Sequence, residues 1–431
     1  MSMSDERIGN YYTATLNDRR QYAPLDGDEQ ADIAIVGGGL TGVATALELA
    51  ERGKSVILLE SNRIGWGASG RNGGQVTGSL SGDEAMLRQL KRQEGSDAVN
   101  FIRHLRWHGH DIIKQRVAKY AIECDLKFGH LYTAWSEQDV PNLKRILDDA
   151  CDSGLENEVR WLNTDEVHER LATPLYHGGI LNNRNMHLHS LNLCVGEARA
   201  ADSLGVRIHE HTSVTDIQPG NQVRVKTSSG TVSAGAVVLA GNAYHRLMPK
   251  KLGGKLFPAV LGNMTTAPLG DALAERINRD DLAVYDSRMI LDYYRLTADK
   301  RLMFGGGTNY SNRSIKDVAG ALEPALHRTF PELKEVPIDY AWTGTAGIVI
   351  NRIPMIGTAA TNVYYAQGYS GHGIATSHIV AEIMADALNG TMDHFDTFKS
   401  FEHIRLPVGK TMGSGLLALG MLWYRLKEKL N

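Results

Sequence analysis

Cysteine is scarce in this chain: 431 residues carry only Cys124, Cys151 and Cys194. An odd number of well-separated thiols fits a reducing compartment better than a disulfide framework. Long hydrophobic runs are missing too. No stretch reaches the ~20 consecutive apolar residues that span a bilayer, and residues 1–27 show neither an apolar run nor a cleavage-site pattern. A cytoplasmic protein is therefore expected. Charge of one sign is also absent, since 46 basic residues stand against 49 acidic ones for a net charge of −3. That balance argues against nucleic acid as a partner. His104, His108 and His110, and the pairs His187/His189 and His209/His211, have no cysteine or acidic pair to complete a ligand set, so no metal is expected. What remains is an ordinary soluble composition, 42% hydrophobic and 22% charged, long enough for two or three domains.

What is present starts with Ile33-Ala-Ile-Val-Gly37-Gly-Gly39-Leu40-Thr41-Gly42, a β-branched run entering a glycine turn. Val43 to Arg52 then reads as a helix stopped by Gly53, and Ser55 to Leu59 as a second strand ending on Glu60. Gly37, Gly39 and Gly42 thus fit G-x-G-x-x-G between a strand and a helix. The first permits a tight turn, the second lets backbone N–H groups approach a pyrophosphate, and the third lets helix and strand pack closely. Glu60 stands where an acid accepts hydrogen bonds from a ribose, which disfavours a 2′-phosphate. FAD and NAD remain; NADP is the weakest candidate.

Five glycines fall between residues 65 and 74, in Gly65-Trp-Gly-Ala-Ser69-Gly-Arg71-Asn72-Gly73-Gly74-Gln75. Such a backbone can lie flat against a planar ligand while Ser69, Arg71, Asn72 and Gln75 offer polar atoms. Asp83 to about Tyr120 has helical spacing, and Leu191 to Ala201 reads as a helix. A strand is expected over Val206–Val214, with Val214 near the adenine, and others at 223–227 and 232–239. The last leads into Ala240-Gly241, at the carboxyl edge where a dinucleotide lies. Residues 291–297 and 301–307 read as a hairpin around Ala298-Asp-Lys. Val363 to Gln367, the turn Gly368-Tyr-Ser370-Gly371-His372-Gly373, and a helix from Ile374 to Leu388 repeat the strand, glycine turn, helix order. His372 replaces the glycine that a hydrolase elbow requires. A helix N-terminus there would favour the negative charge that gathers on a reduced isoalloxazine. The arm over residues 1–30, with Tyr11, Tyr12 and Tyr22, has no readable role. The tail over 414–431 reads as an amphipathic helix that packs on the body or a partner subunit, with interfacial membrane contact as the alternative.

Residues 37–42, 65–75, 342–357 and 368–373 together resemble the FAD-dependent D-amino-acid-oxidase superfamily, and the similarity extends over nearly the whole chain. The resemblance implies an α/β architecture: a Rossmann-like FAD-binding domain built from 1–84, 176–245 and 336–413, and an α+β substrate domain with a mainly antiparallel sheet from 85–175 and 246–335. It implies that Gly37, Gly39, Leu40, Thr41, Gly42 and Glu60 hold the ADP half. Ser69, Arg71, Asn72, Gly73, Gly74, Gln75 and Gly344 would line the flavin, Val214 and Gly241 contact the nucleotide, and Ser370, Gly371, His372, Gly373 and Ile374 close on the pyrimidine ring. Some relatives attach flavin through a cysteine near the segment that here reads Trp342-Thr-Gly344-Thr; none stands there, so noncovalent FAD is expected.

The chemistry implied is hydride transfer from the amine-bearing carbon of a γ-glutamyl polyamine to flavin N5. Aldehyde and ammonia follow, and oxygen is reduced to hydrogen peroxide. Tyr293, Tyr294, Trp342 and Tyr369 are candidate apolar walls, and Arg295 or Arg352 a candidate carboxylate clamp. No catalytic base is identified. Competing readings are an oxidase or dehydrogenase of sarcosine, glycine or D-amino acids, one passing electrons to a quinone, and a noncatalytic flavoprotein.

Overall fold

The computed structural model describes residues 10–91, 97–309 and 315–406. The glycine turn belongs to an eight-stranded sheet. Its main path runs Met355–Ala360, Val363–Gln367, Thr231–Leu239, Glu29–Val36, Val56–Leu59 and Arg207–His209. The four pairings from Val363–Gln367 to Arg207–His209 are parallel. Parallel strands are covered on both faces, which explains the unbroken apolar run Ile33 to Val36. Ile33 and Ile35 pack with Val43, Leu47, Ile379 and Ile383 of the helices Leu40–Glu51 and Gly373–Leu388. Ala34 and Val36 point the other way, into a core with Ile57, Val225 and Leu239.

A nine-stranded sheet runs Ile338–Val349, Leu256–Thr266, Leu302–Asn309, Tyr293–Leu296, Ala283–Asp286, Lys127–Thr133, Gly179–His187 and Gln75–Val76, with Val159–Leu162 beside Gly179–His187. Its pairings are antiparallel except that between Ala283–Asp286 and Lys127–Thr133. The expected hairpin forms, with Tyr293 opposite Gly305 and Leu296 opposite Leu302. The helix Val318–Thr329 covers one face, placing Leu322 and Leu326 against Tyr294 and Phe304.

Several boundaries differ from the sequence reading. Gly179–His187 and Ile338–Val349, assigned to the FAD domain, are strands of the second sheet. The helix Asp97–Lys119, assigned to the substrate domain, packs on the nucleotide side: His108 Nε2 lies 2.8 Å from Glu382, and a Cβ on Gly109 would come 2.5 Å from the Ala375 carbonyl. Periodicity identifies a buried face but not the surface that covers it. The strand expected over Val206–Val214 is only Arg207–His209. The arm is part of the body: Tyr11 and Tyr12 sit on a short helix, Tyr11–Ala14, and are 2% and 0% exposed. The tail over 414–431 lies outside the described residues.

Candidate active site

A cleft of about 470 Å³ runs between the two sheets, from Gly37, Glu60 and Gly241 at one end to Tyr285, Met289, Leu291 and Tyr293 at the other. At the first end the turn is close-packed backbone. Gly37 has φ +115°, and a Cβ there would lie 2.9 Å from Ala240 C and Gly241 N. Glu60 accepts from Gly38 N at 2.6 Å and Asn62 N at 2.8 Å, leaving lone pairs for further donors. Burial pushes its carboxyl up, and nearby Glu210 adds to this, while the two backbone donors oppose it. Glu210 also holds the following loop by accepting from Ile64 N and from Arg63.

Two helices begin at this cleft. Leu40–Glu51 and Gly373–Leu388 have Gly39 and His372 as N-caps, neither makes a side-chain cap hydrogen bond, and neither first turn contains an acid. Gly39, Leu40, Thr41, His372, Gly373 and Ile374 all line the cleft. Partial positive ends directed at one cavity suit a bound anion. Ser69 Oγ accepts from Leu40 N at 2.9 Å, joining the glycine-rich loop to the first helix. Thr41 Oγ1 lies within hydrogen-bond distance of Tyr369 Oη at 2.8 Å and of Ser377 Oγ at 3.1 Å, joining the two helices. Ser370, at φ +51°, accepts from Val349 N. Burial lowers the pKa of the His372 imidazole.

Within the loop over 65–75 Ser69, Arg71, Asn72 and Gln75 line the cleft, and their side chains also bond within the protein. Asn72 donates to Ala68 O, Ser69 O and Ser190 Oγ and accepts from Gly74 N. Arg71 donates to Trp66 O and Thr343 O. Gln75 donates to Val284 O and Tyr294 O of the second sheet and lies 3.1 Å from His130. These bonds shape the loop, whose residues 66–69 and 71–75 line the cleft. Gly73 and Gly74 allow close approach, since a Cβ would come 2.4 Å from the Tyr293 ring at the first and 2.3 Å from Leu188 O at the second.

Of the remaining sequence candidates, Gly241, Gly344, Tyr293, Arg352, Tyr369 and Gly371 line the cleft. Five do not. Gly42 packs behind the turn, where its Cβ would meet Gly37 O at 1.9 Å. Val214 lies past its short strand and packs on the core of the sheet's other face. Tyr294 points into the second core against Phe304 and Phe330, because alternate residues of a strand face opposite ways. Arg295 is buried and donates to Gly73 O, Leu188 O, Leu296 O and Tyr12 Oη. Trp342 is 5% exposed and donates to Arg71 O. The sequence reading missed Tyr285, Met289 and Leu291 at the far end, and also Asn242 and Asn263. Asn242, at φ +46°, accepts from Gly368 N, and its place after Ala-Gly was the available signal.

The histidines considered as metal ligands have other roles. His110 lies 3.2 Å from Val76 O and His187 2.8 Å from Asp281 O. His189 Nδ1 accepts from Asn192 N at 3.0 Å. Among the described residues no group of three His, Cys, Asp or Glu side chains is placed to hold a metal ion, and no helix is long and apolar enough to cross a membrane.

An acid beside a glycine turn, two helix N-termini without an acid in their first turns and a glycine-rich loop form one dinucleotide cradle with room for a planar ring system, and these residues fit FAD. Residues 32–387 match the family of FAD dependent oxidoreductases (DAO), and this chain belongs to it. It is an FAD-dependent oxidoreductase of the kind that acts on amines and amino acids. Among curated proteins it is 37% identical to gamma-glutamylputrescine oxidoreductase of Escherichia coli, over 99% of both chains. It is 34% identical to the probable oxidoreductase OrdL of Haemophilus influenzae over 98% of both. Among solved structures, glycine oxidase of Geobacillus kaustophilus superposes with a TM-score of 0.73 at 22% identity, covering 87% of this chain and 100% of that one.

Proposed function

We propose that this protein oxidises γ-glutamylputrescine, or a related γ-glutamyl polyamine, at its amine-bearing carbon in polyamine breakdown in the cytoplasm. With oxygen and water as co-reactants, the products are aldehyde, ammonia and hydrogen peroxide. The observation that carries the reading is the full-length likeness to the E. coli enzyme of that name. FAD, when bound, supplies the hydride acceptor at flavin N5. The glycine turn, Glu60 and the first helix N-terminus would hold its ADP half, and the loop over 65–75 with Gly344 and Ser370 to Ile374 its flavin half. No cysteine lines the cleft among the described residues, which supports noncovalent attachment.

The far end of the cleft suits this substrate class. Tyr285, Met289, Leu291 and Tyr293 would exclude water from a methylene chain, and their apolar surroundings favour the neutral amine that can give up hydride. Glu60, at the nucleotide end, is the one carboxylate lining the cleft among the described residues. A free diamine would therefore find no counter-ion for its second ammonium. Arg352 lines the cleft with no ion pair or side-chain hydrogen bond among the described residues. Arg71 and Arg295 are held by backbone carbonyls, so Arg352 takes the role of carboxylate clamp.

Arg352→Ala is expected to raise KM for γ-glutamylputrescine about 10- to 100-fold, the loss of a hydrogen-bonded charge pair, while changing KM for putrescine little. Equal effects on both amines would remove the clamp. Peroxide and ammonia assayed under air test the products: one of each per amine consumed is expected. Turnover only with an added quinone would replace oxygen as acceptor.

A further inference from the structure

The family match begins at residue 32, yet the segment before it is built into the cofactor site. Asn10 is 3% exposed, and its Nδ2 donates to Gly70 O at 3.0 Å. Tyr12 is fully buried, and its ring meets His189 edge-on at 4.8 Å and Trp342 at 5.9 Å. Its Oη accepts from Arg295 Nη2 at 3.3 Å, and Arg295 Nε donates to Gly73 O at 2.9 Å. Thr15 Oγ1 lies 3.0 Å from His189 Nε2. His189 Nδ1 is an acceptor, so in the neutral ring the proton is on Nε2 and is donated to Thr15. The next residue, Ser190, donates to Ser69 O at 2.6 Å.

Three separate connections thus run from this segment to consecutive parts of the loop: directly to Gly70, through Arg295 to Gly73, and through His189 and Ser190 to Ser69. Trp342, under the same tyrosine, donates to Arg71 O. Further along, Tyr22 N donates to Glu210 and Leu25 N to Thr212 Oγ1, so the segment also braces the stretch that holds the loop after Glu60.

We propose that residues 10–25 form the back wall of the flavin site, with Asn10, Tyr12 and Thr15 as positioning residues that hold the loop in the shape that receives FAD. This rests on the reading that the loop over 69–75 faces the flavin. The carbonyls of Ser69, Gly70, Arg71 and Gly73 are each held by one of these bonds. A carbonyl released from its donor is free to turn, and the loop then adopts several shapes, of which one binds FAD. The cost appears in cofactor affinity.

The test uses the full chain stripped of FAD and reconstituted. FAD Kd is read from flavin fluorescence, and Tm is measured with and without a fixed excess of FAD. Asn10→Ala and Thr15→Val are expected to raise Kd about 10-fold each and to shrink the rise in Tm that FAD produces. Tyr12→Phe, which keeps the ring but removes the acceptor for Arg295, should raise Kd by less than Asn10→Ala or Thr15→Val, and Tyr12→Ala should exceed all three. A purely structural role predicts that Tm with and without FAD falls by the same amount while Kd stays within about twofold, and that result overturns the inference. Ser69→Ala separates this from failure of the site reading. If it weakens FAD while Asn10→Ala and Thr15→Val do not, only the back wall is refuted. If none of the three alters Kd, the loop does not face FAD and both fail.

Discussion

Gly42→Ala is expected to yield protein that retains little or no FAD. A Cβ at this position would lie 1.9 Å from Gly37 O, 3.1 Å from Gly37 C and 3.3 Å from Ile35 Cγ2. The nearest obstacle is backbone and cannot rotate aside. Gly37 has no room to retreat, because its own far side is against Ala240 and Gly241. The helix Leu40–Glu51 must therefore move off the strand, carrying its N-terminal N–H groups with it. Overpacking of this kind costs about 1–3 kcal/mol in stability. The larger effect falls on the cofactor, since a displaced turn no longer presents its N–H groups to a pyrophosphate. Flavin per polypeptide after purification, read from the visible spectrum with circular dichroism to confirm folding, checks it. A folded variant with a full complement of FAD would contradict the placement of the turn.

Glu197→Gln is expected to produce the largest loss of stability. Glu197, on the helix Ser190–Ser203, and His378, on the helix whose N-terminus lines the cleft, are both fully buried. Glu197 Oε1 accepts from Arg116 Nη1 at 2.9 Å and lies 2.9 Å from His378 Nε2. Arg116 also pairs with Glu48 at 2.6 Å. Burial by itself would raise the Glu197 carboxyl, but His378 and Arg116 hold it down to about 2. Removing its charge leaves two buried donors poorly matched, at a cost of about 3–5 kcal/mol for breaking a buried pair. Urea unfolding of the FAD-free protein measures this. The sign with pH follows from the lowered carboxyl. Its contribution is present above the unfolded value of about 4.3 and is lost as pH falls toward about 2. Wild type should lose stability more steeply than Glu197→Gln over that interval; parallel curves would refute the charged network.

The parts of this protein legible in its sequence are those fixed by neighbours along the chain. Gly37 to Gly42 gain their meaning from the adjacent strand and helix, and the 291–307 hairpin from its turn. Side-chain direction was legible only in part. Tyr293 and Tyr294 were grouped as cleft walls, although strand alternation sends one to the cleft and the other to the core. That Asn72 also bonds Ser190, and Gln75 Val284, was hidden, because nothing local reveals those partners. Arg295 shows the limit most clearly: its partners Tyr12, Gly73 and Leu188 are remote in sequence, so a buried structural cation looked like a substrate clamp. The role of Tyr12 was hidden for the same reason.

The central claim is that this flavin cleft oxidises a γ-glutamylated polyamine, and anaerobic reduction of the bound FAD tests it most directly. The visible spectrum is recorded before and after adding γ-glutamylputrescine, with putrescine, sarcosine, glycine and D-alanine in parallel. The account predicts rapid bleaching of the oxidised-flavin band by γ-glutamylputrescine, with little by putrescine or the amino acids. Full reduction by glycine, sarcosine or D-alanine with none by γ-glutamylputrescine would contradict it.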